Sequence, residues 1–198
     1  MEALDELLQK AEAAHGHMCA GQILGVRMAL LGLERLGIED PRGADRKRLV
    51  TYVEIDRCAT DAIAMVTGCR LGKRTLKFRD WGKMAATFVD LTTGRAVRVT
   101  AMETSRELAR ERYPQVESKS RQQMMAYREL KDEELFAVQP VRVTVDESEL
   151  PGKRGDRVAC GRCGEGINFG RFADVNGERL CLSCARPDER YWQDEDRG

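Results

Sequence analysis

What the chain lacks narrows its function before any motif does. It has no net charge, because 33 lysines and arginines balance 33 aspartates and glutamates. The molecule as a whole therefore offers no strong field toward nucleic acid, anionic lipid or acidic substrates, and any such partner must be met locally. It also has no apolar run approaching the roughly 18 residues of a membrane span. Residues 1–10 carry acidic side chains and no continuous apolar core, unlike a signal peptide. A cytoplasmic protein without a membrane partner is the expectation. There is no phosphate-binding loop, no recognisable base-and-nucleophile set and no internal repeat, so nothing names a catalytic reaction.

What is present points to metals. Seven cysteines are an odd number, and four of them form two C-x-x-C pairs, which in a reducing compartment reads as metal chemistry rather than a disulfide framework. The 42% apolar content suffices for a core, in one domain of about 100–150 residues with a small appendage.

Helical spacing of Ala3, Leu4, Leu7, Leu8 and Ala11 predicts a short amphipathic helix over 2–13. A second helix is expected from Cys19 to Leu36, apolar almost all round and closed by Gly37. Along it, Gly21, Gly25, Ala29 and Gly32 form a groove of small residues. The groove receives either a second copy of the chain or another helix of the same core. Alternation over 49–55 predicts a strand, followed by a helix over 59–67 ending at Gly68. That places Cys58 at a helix N-terminus, where a thiolate is stabilised; the alternative is a small buried hydrophobe. Cys69, just beyond Gly68, reads as structural. Runs at 75–79, 83–91 and 96–101 are β-like, with a hairpin at Thr92–Arg95, and charged helices are expected at 103–112 and 117–131. Met124 and Met125 on the second of these read as core filling. Val141, Val143 and Val145 suggest a last strand. The fold class expected is α+β, a small antiparallel or mixed sheet packed with helices over 1–147, then a linker over 148–156.

Cys160-Gly-Arg-Cys163 and Cys181-Leu-Ser-Cys184 are separated by 17 residues, the spacing of a four-cysteine zinc site. With a hairpin around Asn176-Gly177 and a helix starting after Cys181, residues 157–186 resemble a treble-clef finger, followed by a polar tail over 187–198. Four thiolates close a tetrahedron, so this zinc is expected to be structural. Residues 153–186 hold seven basic and four acidic side chains, and the tail holds five acidic and two basic ones. So small a surplus leaves protein contact, simple stabilisation and nucleic-acid binding all open.

The other donors lie in His15-Gly-His-Met-Cys-Ala-Gly21. His17 and Cys19 are two residues apart at a helix entry, where extended backbone can aim both side chains one way. With a thiolate from Cys58 they suit zinc or another late transition metal and leave a position open. His15 is a fourth ligand, a partner to a ligand or a solvated turn residue. Asp56 and Asp61 flank Cys58 as acceptors.

This heptapeptide, followed by Gly25-Val-Arg-Met28, Cys58-Ala-Thr-Asp-Ala-Ile63, Thr67-Gly-Cys-Arg-Leu-Gly-Lys73 and Gly82-Lys83, resembles the FmdE-like family, which takes its name from a component of formylmethanofuran dehydrogenase. The matches run in order over residues 10–145. The resemblance implies an α+β core forming an intertwined homodimer, a cleft where His17, Cys19 and Cys58 gather, a transition metal there, and in some members a C-terminal zinc finger. Ala20 departs from the family, whose members often carry proline after the cysteine. The expected function is metal binding, as an accessory subunit or in handling metal or molybdenum cofactor. The alternative is a metal- or ligand-sensing regulator whose finger binds protein or nucleic acid.

Overall fold

The structure, a computed structural model, describes residues 3–193. These fall into two compact units that divide between Thr144 and Val145. The last five residues of the expected polar tail lie outside the described residues.

In the first unit, α1 (Leu4–His15) and α2 (Ala20–Leu36) are followed by β1 (Leu49–Val53), α3 (Cys58–Thr67), β2 (Leu76–Phe78), β3 (Ala85–Asp90) and β4 (Ala96–Ala101). Then come α4 (Thr104–Arg112), α5 (Lys119–Glu129), α6 (Asp132–Leu135) and β5 (Phe136–Val141). The strands form one sheet in the order β2-β1-β3-β4-β5. It is mixed, since β1 and β2 are parallel across α3 while the other pairs are antiparallel. This is the α+β class the sequence predicts.

α2 is the axis of the core. Its apolar residues, from Ile23 to Leu36, join Leu7, Leu8, Ile63, Phe88, Val97, Val99 and Tyr127 in one buried cluster. The small-residue groove on α2 is filled from within the chain. A Cβ added at Gly25 would meet the Ala59 carbonyl oxygen at 2.5 Å, and one at Gly32 would meet the Phe88 ring at 2.2 Å. α3 and β3 therefore occupy the face that a second copy was one candidate to fill, and a dimer contact along that groove is ruled out by this packing. Cys69 is buried between Thr51 and the Leu49 carbonyl, and burial raises its pKa. Met124 packs against the core cluster.

Buried charges in the sheet are paired. Arg98 grips Glu54 through two hydrogen bonds of 2.6 and 2.7 Å, and Arg48 donates to Asp90 at the β3–β4 corner.

The final strand differs from expectation. It runs over Phe136–Val141 rather than around Val141–Val145, because its ladder with β4 ends where β4 begins, at the Ala96–Val141 pair. Pro140 is tolerated there because β5 lies at the edge of the sheet.

The second unit holds two short hairpins. β6 (Arg157–Ala159) pairs with β7 (Gly166–Asn168), and β8 (Phe172–Val175) with β9 (Glu178–Cys181), before α7 (Leu182–Ala185). Asn176 and Gly177, with φ of 53° and 85°, turn the second hairpin in the manner of a type I′ turn. Its buried cluster is small: Cys160, Ile167, Leu180 and Cys184.

Candidate metal centres

Two groups of donors converge among the described residues, one in each unit.

The first is built at the joint between α1 and α2. α1 ends at His15 because Gly16 takes φ +95°, where its N–H closes back on the Glu12 carbonyl. The chain then extends through Cys19, with φ −143° and ψ 167°, and its carbonyl accepts the Gln22 and Ile23 N–H groups that open α2. This turn brings donor atoms of His15, His17 and Cys19 within 4.8 Å of one another. The two imidazole rings lie 4.8 Å apart, tilted by 45°. Ligands around a tetrahedral zinc stand about 3.3–3.8 Å apart, given bonds of roughly 2.0–2.3 Å. Side-chain rotation alone would close the remaining gap.

α3 supplies the surroundings. His15 Nδ1 lies 2.9 Å from an Asp61 carboxylate oxygen in the first turn of α3. A ligating histidine characteristically donates one ring N–H to a carboxylate, which fixes its tautomer and orientation. Cys58 is the first residue of α3 and its carbonyl accepts from Gln22 Nε2 at 2.8 Å. A Cβ added at Gly21 would lie 3.3 Å from Cys58 Cβ and 3.6 Å from Cys19 Sγ, so both cysteines border one small gap. Cys58 thus stands beside Cys19 and outside the set of three mutually close donors. Its thiol does not follow the helix-terminus argument: burial, and then the neighbouring Cys19, raise its pKa. Desolvation and a second sulfur outweigh the unpaired N–H groups of α3.

His15, which sequence reasoning left with three roles, is drawn in with His17 and Cys19. Asp61 was anticipated as an acceptor, whereas Asp56 is exposed. Gln22 was missed. It is fully buried, and its Oε1 has no hydrogen-bond partner. The available signal was a lone amide one turn past Cys19 inside an otherwise apolar helix.

The second group is in the smaller unit. Cys160 and Cys163 lie around the β6–β7 turn, which Gly164 closes at φ +77° with its N–H on the Cys160 carbonyl. Cys181 ends β9 and Cys184 lies in α7. The four sulfurs lie within 4.8 Å of one another, with Cys163 and Cys181 at 3.8 Å, close to the sulfur–sulfur separation around a tetrahedral ion. The Cys163 N–H, then the Cys181 N–H, hold Cys160 down to about 6. At Cys163 the Glu165 N–H works the other way, but burial and the thiols of Cys160, Cys184 and Cys181 push it up to about 12. Thiols so crowded cannot all ionise without a cation among them. The cluster is accordingly one that can hold a metal ion, as the C-x-x-C pairs predict.

Comparison with known proteins bears on both units. A solved structure of an FmdE-like protein of tungsten formylmethanofuran dehydrogenase type, from Syntrophus aciditrophicus, superposes with a TM-score of 0.64 at 25% identity, covering 96% of this chain and 95% of that one. A protein of Archaeoglobus fulgidus described as a probable S-adenosyl-L-methionine-binding protein is 39% identical over 97 residues, 48% of this chain. The match takes in 26% of that relative, so the chain spans about a quarter of its length. The family model described as "FmdE, Molybdenum formylmethanofuran dehydrogenase operon" matches residues 14–137, from the histidine turn to the last strand of the sheet, and the chain belongs to the FmdE family.

Proposed function

We propose that this protein binds two metal ions per chain, a structural zinc on Cys160, Cys163, Cys181 and Cys184 and an exchangeable transition metal on His15, His17 and Cys19. The second ion makes it an accessory or metal-handling protein of the FmdE type. One observation carries the reading: three soft and borderline donors, His15, His17 and Cys19, lie within 4.8 Å of one another on a single turn. Imidazole and thiolate select late transition metals over magnesium or calcium. Three protein ligands leave the fourth position to water, to a ligand or to Cys58, and this openness separates an exchanging site from the closed sulfur tetrahedron of the finger. His15 is oriented by Asp61, and Gln22 ties the start of α3 to the start of α2.

The protein is further proposed to be cytoplasmic and homodimeric. No helix among the described residues is long and apolar enough to cross a membrane. The open edges of the sheet at β2 and β5, rather than the filled groove of α2, are the places for a second copy.

Metal content decides the main claim. Elemental analysis of the full chain is expected to give two metal ions, falling to one in the Cys19→Ser and Cys58→Ser double variant. An unchanged count in that variant rejects the core site.

A second reading, a regulator that uses the finger for contact, draws on the exposure of Leu182, Tyr191 and Trp192 around α7. Tyr191 is 96% exposed, and aromatic side chains are common anchors in interfaces. Binding that weakens steeply with salt identifies a nucleic-acid partner. Salt-insensitive capture of a protein identifies the other kind.

A further inference from the structure

We infer that Cys19 and Cys58 form a reversible disulfide, a redox modification site distinct from the metal binding proposed above. The inference begins from Gly21. A methyl group there would touch both Cys58 Cβ and Cys19 Sγ, at 3.3 and 3.6 Å, so the absence of a side chain at 21 leaves open the space in which the two sulfurs meet. A disulfide needs Cβ atoms about 3.5–4.5 Å apart, and two side chains bordering one Cβ-sized gap satisfy that scale.

The backbone around them is fixed. α2 and α3 are in such close contact that a Cβ at Gly25 would strike the Ala59 backbone. Gln22 Nε2 also holds the Cys58 carbonyl at 2.8 Å. The starts of both helices are therefore held side by side, and closing the bond needs side-chain rotation rather than movement of an element. Neither thiol is sealed off, since both are half-buried. Cys69, by contrast, lies in the core at 3% exposure and is an internal control.

The chemistry balances with a hydroperoxide as oxidant. One thiolate attacks the peroxide oxygen, the O–O bond breaks, and a sulfenic acid and water result. The second thiolate attacks that sulfur, the S–O bond breaks and a second water leaves. Two thiols are oxidised by two electrons and one peroxide is reduced. A small dithiol reverses the bond by exchange. On the metal reading above, oxidation would remove Cys19 from the donor set, so a filled site and a closed disulfide exclude one another.

The test uses the full chain, first treated with a mild chelator, then with hydrogen peroxide, alkylation and peptide mapping under non-reducing conditions. The expected product links the peptides containing Cys19 and Cys58, reverts with dithiothreitol and leaves Cys69 free. In Cys58→Ser the link is absent, and Cys19 instead accumulates a sulfenic acid that dimedone traps. Circular dichroism of the variant confirms its fold. Sulfinic acid at Cys19 with an unmodified Cys58, or links from Cys19 to other cysteines, overturns the proposal. A second arm adds excess zinc before the peroxide. Slowing of the link by about tenfold or more is expected if Cys19 is a ligand, because a bound thiolate does not attack. A link that forms at an unchanged rate leaves the redox pair standing and rejects Cys19 as a metal ligand, so the two claims fail separately.

Discussion

Gly25 is a residue whose identity the packing dictates. A methyl group at this position would meet the Ala59 carbonyl oxygen at 2.5 Å and the Ala62 Cβ at 2.8 Å, and backbone cannot yield as a flexible side chain does. Gly25→Ala is expected to destabilise the first unit by about 1–3 kcal/mol, the usual range for overpacking, read as a lower urea midpoint at unchanged slope. Asp61 makes a second prediction at this scale. Its contact with His15 is 64% exposed on the carboxylate side, so its loss should barely alter stability. As the group that orients His15, however, its replacement in Asp61→Asn is expected to weaken core metal affinity by about 10–100-fold. Chelator competition measures this, with the finger's affinity unchanged. Single residues differed in how legible they were. His15, His17 and Cys19 stood out because donors so close in sequence remain close in any fold. Gln22 did not, because its value comes from facing Cys58, 36 residues away, and no local pattern encodes that.

The β3–β4 corner supplies a prediction at the scale of elements. Asp90 is buried and accepts from Arg48, from the Thr92 N–H and from the Thr93 hydroxyl. Burial works against its ionisation, but these donors win and hold the carboxyl at about 2, against its ordinary 3.8. A depressed carboxylate stabilises the fold above its unfolded value, and that contribution disappears as pH falls from about 3.8 toward 2. It is about 1–2 kcal/mol after allowance for solvent around Arg48. The stability gap between wild type and Asp90→Asn should therefore be full at about pH 5 and shrink below about pH 4. A constant gap across that range contradicts the assignment. The elements whose pattern is local were readable: α1, α2 and α3, with Gly16, Gly37 and Gly68 each ending a helix in the left-handed region. β5 was misplaced because its alternation continues past Val141 while its partner does not. The four-residue α6 was missed because so short a turn is set by context, here the Glu134 carboxylate accepting the Lys131 N–H.

At the scale of the whole molecule, the two units depend on metal to different degrees. The first buries a cluster drawn from helices α1 to α6 and the sheet. The second buries little besides its own cysteines, Ile167 and Leu180, and so small a unit is expected to fold on its ion. Strong chelation should leave the first unit's amide protection intact and expose Val145–Gly198 to proteolysis. Loss of both together, or of neither, contradicts that division. The finger was legible throughout because its two C-x-x-C pairs carry their geometry in their spacing. The core centre was legible only in part, since Cys58 reaches it through the packing of α3 on α2.

The most direct test of the core site uses the chain's scarcity of histidine. It has two, His15 and His17, so any imidazole bound to metal must come from the turn between α1 and α2. X-ray absorption of the fully loaded chain is predicted to show imidazole scattering, with nitrogen at about 2.0–2.1 Å alongside sulfur at about 2.3 Å. That scattering should vanish in the His15→Ala, His17→Ala double variant while the sulfur shell remains. A pure sulfur shell in the wild-type chain would contradict the account.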